Sequence, residues 1–122
     1  MNSFKELEVW KSARELRKSI SNLTKNFPKE ERYRLGDQII RSSRSVAANI
    51  AEGFGRYHYQ ENIQFCRQAW GSLNETLEHL ICAFDEGFIT EEEFKNQKAV
   101  FDSCLKLLNG YIGYLKKAVQ NK

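Results

Sequence analysis

Arg34, Gln38, Arg41, Ser45, Asn49, Glu52 and Arg56 follow one another at steps of three and four. At roughly 100° per residue this gathers them onto about a quarter of a helix circumference. Guanidinium groups in such a stripe suit phosphates or a partner's carboxylates, because the planar fork donates paired hydrogen bonds. The same stripe also reads as a solvated face, with Glu52 and Arg56 forming an i,i+4 pair worth only about 0.3 kcal/mol. Arg34, Arg41, Arg44 and Arg56 are therefore the candidate contacts to nucleic acid or to another partner. Phe54, Tyr57 and Tyr59 cluster with Arg56, where rings could stack on bases or simply staple a turn.

Catalytic chemistry has little to build on. His58 and His79 are 21 residues apart and neither stands in an ExxH or HExxH context, so the metal pattern of bundle cores is missing. There is no GxxxxGK[ST] phosphate loop and no GxSxG elbow. Cys66, Cys82 and Cys104 form no CxxC pair and have no histidine at ligand spacing, which argues against zinc and against structural disulfides. Cys66 and Cys104 fall on apolar stripes and read as small core hydrophobes, and nothing supplies Cys82 with a base. No acid, base, nucleophile and anion-hole set assembles from these residues. A binding or assembly module is expected, with no enzyme activity, cofactor, metal or small-molecule substrate.

The elements that carry these residues are helical. At 122 residues, 41% hydrophobic and 29% charged, the chain suits one globular domain over residues 1–122. Pro28, Gly53-Phe54-Gly55 and Glu86-Gly87-Phe88 divide it into four segments of helical length. Val9, Ala13, Leu16, Ile20, Leu23 and Phe27 mark the first helix, expected over about residues 5–26, with Phe27-Pro28 as its stop. Leu35, Ile39, Ser43, Val46, Ile50 and Phe54 mark the second, and Gly53 and Gly55 suit a left-handed end to it. Ile63, Cys66, Trp70, Leu73, Leu77, Leu80 and Phe84 predict a bundle seam along the third. Thr90-Glu91-Glu92-Glu93 predicts a capping box opening the fourth, which continues through Phe94, Phe101, Cys104, Leu108, Ile112 and Leu115.

Short turns between such helices dictate an all-α, antiparallel up-down-up-down four-helix bundle. The fourth helix carries a second apolar row of Val100, Leu107, Tyr111, Tyr114 and Ala118. It either flanks the internal core or covers a homo-oligomer interface, and the width of the face favours self-association. Residues 1–70 hold 13 Lys and Arg against 8 Asp and Glu, whereas residues 71–122 hold 6 against 8, so a basic face is expected on the first half. No apolar run approaches the roughly 20 residues of a membrane helix. The opening MNSFKELEVWKSARE lacks the pattern of a secretion signal. A cytoplasmic protein is expected.

The segment Ser45-Val46-Ala47-Ala48-Asn49-Ile50-Ala51-Glu52-Gly53-Phe54-Gly55-Arg56, followed by Ala69-Trp70-Gly71-Ser72-Leu73-Asn74-Glu75, closely resembles the signature of the bacterial 23S rRNA intervening-sequence (S23) family. Phe4, Leu7, Val9-Trp10, Ala13, Phe27-Pro28, Gln38-Ile39 and Arg41 extend the resemblance over nearly the whole chain. It implies a four-helix bundle that commonly assembles as a homopentamer, with ribosomal or other structured RNA as a partner. A related branch, the accessory proteins of diversity-generating retroelements, forms strongly basic rings that bind nucleic acid. Arg44 and Ala47 stand where family members often carry an apolar residue and a proline. The signature residues Asn49, Glu52, Gly53, Gly55, Gly71, Ser72 and Glu75 have a structural reading. The glycines shape a turn, Gly71 and Ser72 let helices approach, and Asn49, Glu52 and Glu75 bond across helices or subunits.

Overall fold

The four periodic stretches fold as α1 (Glu8–Leu23), α2 (Leu35–Phe54), α3 (Tyr59–Asp85) and α4 (Glu91–Gln120), in a computed structural model that describes residues 2–121. Short 3-10 turns at Phe4–Glu6, Thr24–Asn26 and Lys29–Glu31 complete the secondary structure, and no strand occurs among the described residues. Each helix packs on its sequence neighbours and α1 closes on α4. The helices therefore form a square, antiparallel up-and-down bundle.

Val9, Ala13, Leu16, Ile20 and Leu23 of α1 meet Ile39, Val46 and Ile50 of α2, Cys66, Leu73 and Leu80 of α3, and Phe101, Cys104, Leu108 and Leu115 of α4 in one core. Burial of each large aliphatic side chain contributes roughly 1.5–3 kcal/mol. These positions are the ones that helical periodicity picks out, because only one face of each helix can point inward.

Local chemistry sets the ends of the helices. α1 stops earlier than its apolar pattern, handing over to the 3-10 turn before Phe27. Pro28 does not open α2, which begins only at Leu35 after a second 3-10 turn. The end of α2 also differs from expectation. Gly55 caps the helix at φ −75°, and neither it nor Gly53 is left-handed; Gly87 is the glycine with positive φ, at 76°. There the amide of Phe88 donates to the carbonyl of Ala83 and that of Gly87 to Phe84, a pattern that satisfies the last carbonyls of α3. At the start of α4 the Thr90 hydroxyl accepts from the amide of Glu93 while the Glu93 carboxylate accepts from the amide of Thr90.

Ile63, Cys66, Leu73 and Leu80 of the expected α3 seam are buried, but the rest of it is displaced by one residue: Ala69, Thr76 and Ala83 are buried, as is Asn62, whereas Trp70 is 47% and Phe84 38% exposed and Leu77 is half-buried. Small residues let α3 turn this row against α2. The rows holding Trp70, Leu77 and Phe84 are thereby rotated toward solvent and α4.

Candidate interaction surfaces

Small and polar residues of α2 and α3 meet along the contact between the two helices. Small side chains bring the two backbones close: a Cβ added at Gly53 would lie 2.5 Å from Oδ1 and 3.0 Å from the carbonyl oxygen of Asn62. Ser42 Oγ and Thr76 Oγ1 are 2.8 Å apart across the contact. One turn along, Ser45 Oγ accepts from Ser72 Oγ at 2.9 Å and from Asn49 Nδ2 at 3.0 Å. Asn62, buried, donates to the Tyr111 hydroxyl and so ties α3 to α4. Buried hydroxyls and amides of this kind are costly without partners, so satisfied pairs fix the register of the helices.

Several signature residues act differently from expectation. Asn49 bonds within α2, to the carbonyl and hydroxyl of Ser45. Glu52 pairs with Arg56 at 3.0 Å and Glu75 with His79 at 3.2 Å, each along its own helix. None of the three bonds across helices in these contacts; Ser72 does. Gly71 is exposed and a Cβ there would meet nothing within 4 Å, so it does not serve helix approach. Ser45, Ser42 and Thr76 were not singled out as cross-helix partners by sequence reasoning. Their spacing along two small-residue rows is the signal that marks them.

The four candidate arginines divide into two kinds. Arg34, Arg41 and Arg56 pair with Glu31 at 3.9 Å, Asp37 at 3.1 Å and Glu52 at 3.0 Å, and Arg56 also lies 4.8 Å over the Phe65 ring. Arg44 is exposed and forms no ion pair among the described residues. The partners Glu31 and Asp37, visible at i,i+3 and i,i+4, lower the charge that this stripe offers. Such exposed pairs are worth only about 0–1 kcal/mol, but each keeps a carboxylate beside the arginine, which an approaching anion would meet. Tyr57 is almost fully exposed, its ring edge-on to His58 at 4.8 Å.

On α4, Val100 and Tyr111 are half-buried, whereas Leu107 is 39% and Tyr114 61% exposed. The Asn62 bond to Tyr111 places this row on the α3 side of α4. Burial raises the pKa of the Tyr111 hydroxyl, with the Asn62 bond opposing. Trp70, Leu77, Ile81 and Phe84 share about 60° of α3 at 100° per residue, and the Phe84 ring packs on Phe94 of α4 at 5.2 Å. Exposed apolar side chains thus border both sides of the α3–α4 face, a surface of the sort that marks protein contacts. Helical spacing places Trp70, Leu77 and Phe84 in the core seam and passes over Ile81, whereas Trp70, Ile81 and Phe84 are exposed.

Burial holds the Cys66 and Cys104 thiols up at about 11, as suits core positions. At Cys82, desolvation and then the carboxylates of Glu86 and Glu78 push the thiol up. The three thiols are free. Among the described residues no group of three His, Cys, Asp or Glu side chains is placed to hold a metal, and no helix is long and apolar enough to cross a membrane.

No curated protein matches the chain. A family model described as 23S rRNA-intervening sequence protein matches residues 5–110. The chain is also similar to a solved structure from Bacteroides thetaiotaomicron, a protein of unknown function from the S23 ribosomal protein family. The two share 27% identity with a TM-score of 0.79, covering 85% of this chain and 97% of that one.

Proposed function

The chain belongs to the 23S rRNA-intervening sequence protein family, and from that premise we propose that it is a non-enzymatic, self-associating bundle that binds structured RNA. Cations of the first two helices make the contact, in the bacterial cytoplasm. The observation that carries the reading is the charge asymmetry: 13 Lys and Arg against 8 Asp and Glu in residues 1–70, reversed to 6 against 8 in residues 71–122. A polyanion is drawn to such a half-molecule through released counterions. The apolar border of the α3–α4 face supports self-association, with a pentamer as the family resemblance implies. Three free thiols suit a reducing compartment.

Filter binding of the full chain to ribosomal RNA fragments tests the reading. Affinity should fall steeply as salt rises, and an absence of salt-dependent binding at low ionic strength defeats it. The exposed Trp70, Ile81 and Leu107 favour one second reading, a scaffold that docks another protein and touches no nucleic acid. Partners that persist in a pull-down after nuclease treatment, with no RNA affinity, would select it.

A further inference from the structure

We propose that the groove between α1 and α2 is the phosphate track of this chain, in which Arg14, Arg17, Lys25, Arg32 and Arg44 take one strand of an RNA backbone. The proposal rests on the RNA-binding reading above and assigns it a surface. Near one pole, Ser21, Thr24 and Lys25 face Arg32, Gly36 and Ile40 across a cleft of about 320 Å³ whose lining contains no acidic residue. One helical turn from Ser21 stands Arg17, with Arg14 and Trp10 beyond it. One turn from Ile40 stands Arg44. Steps of three and four keep each row on its own side of the groove, so the cleft continues as a strip bordered by cations. From Arg14 to Lys25 it runs about 16 Å at about 1.5 Å per residue, enough for several consecutive phosphates.

Two observations separate this strip from the arginines on the other side of α2. First, none of its five cations forms an ion pair among the described residues, whereas Arg34, Arg41 and Arg56 are each engaged. Of the carboxylates around the start of α2, Asp37 pairs with Arg41 and Glu31 with Arg34. Second, Arg17 has one buried guanidinium nitrogen with no hydrogen-bond partner among the described residues, and the group lies 5.9 Å over the centre of the Trp10 ring, itself edge-on to Phe4. A buried N–H left unpaired is unfavourable, and a phosphate oxygen or a water bridging to one satisfies it. A guanidinium held over an indole is already partly ordered for that contact. The groove favours a nucleic-acid strand over a membrane because its cations stand in line along two neighbouring helices, and because the large exposed apolar side chains of α3 and α4 are absent from its lining.

Fluorescence anisotropy with a labelled RNA hairpin, on the full chain, tests this with two variants of equal charge. One is R14Q/R32Q/R44Q, all exposed groove positions; the other is R34Q/R41Q/R56Q. Circular dichroism melting checks that both are folded. The groove variant should bind at least about tenfold more weakly at low salt, with a salt dependence flatter by about two in log–log slope. The other variant should stay within about threefold of the parent. Equal losses, or a larger loss in the second variant, overturn the groove while leaving RNA binding intact. A parent chain that binds no RNA overturns both. Binding to phosphatidylserine vesicles that depends on the groove, with none to RNA, overturns both in favour of a lipid surface.

Discussion

Gly53 shows how much a single hydrogen can matter where two backbones nearly touch. A methyl group there would crowd the Asn62 carbonyl and side-chain oxygens and the Cβ of Phe65, and only movement of α3 would relieve it. Gly53→Ala should cost roughly 1–3 kcal/mol in urea denaturation. Gly71→Ala should instead be neutral or stabilise the protein by up to about 1 kcal/mol, since the site is open and alanine favours helix. Equal costs would mean that the contact at Gly53 has been misjudged. Both glycines stand out in the sequence as part of one signature, yet their roles differ. Composition and spacing reveal that glycine is present but not whether another helix presses on it. The same limit applied to Asn49, Glu52 and Glu75, whose reach across helices depends on rotamers, while Cys66 and Cys104 were legible because burial follows periodicity alone.

Helix boundaries were readable wherever capping chemistry is local. Thr90-Glu91-Glu92-Glu93 declared its reciprocal bonds in four letters, but the third partner of Glu93, the Asn26 amide at 3.1 Å, comes from the 3-10 turn that follows α1. Thr90→Ala should lower stability by about 1 kcal/mol at neutral pH. The bond from the Thr90 amide, chiefly, and then those from Asn26 and the Thr90 hydroxyl hold the Glu93 carboxyl below its ordinary 4.5, against some desolvation. A carboxyl lowered in the folded state stabilises it above the unfolded pKa, and that contribution disappears as pH falls through the folded value. The melting temperature gap between the parent and Glu93→Gln should therefore shrink from pH 7 toward strong acid, and a gap that widens there would contradict the assignment. The α1–α2 connection was less legible, since Pro28 marks a break without saying how many residues of 3-10 geometry precede the next helix. On α3 the positions of Cys66, Leu73 and Leu80 held, whereas Trp70, Leu77 and Phe84 gave way to Ala69, Thr76 and Ala83, because ideal heptads ignore which neighbour comes closest.

Across the whole molecule, the up-down bundle followed from periodicity and short turns, whereas the full extent of its apolar outer face did not. The row on α4 was visible as an excess of apolar letters. Its counterpart on α3 was hidden because Trp70 and Phe84 had been spent on the core. Light scattering should give a mass that is a multiple of 14.3 kDa, and Leu107→Glu should reduce it to a single copy with helix content unchanged. A parent chain that runs as one copy would leave Trp70, Leu107 and Tyr114 without a partner surface. Because the helices close in the order α1, α2, α3, α4, the α1–α2 groove and the α3–α4 face lie on opposite sides of the bundle. An assembly that hides the second therefore displays one copy of the first per subunit, all facing outward. Binding then becomes a matter of valency: each groove needs only a weak hold, because a long RNA engaged at one subunit meets the next at a high effective concentration.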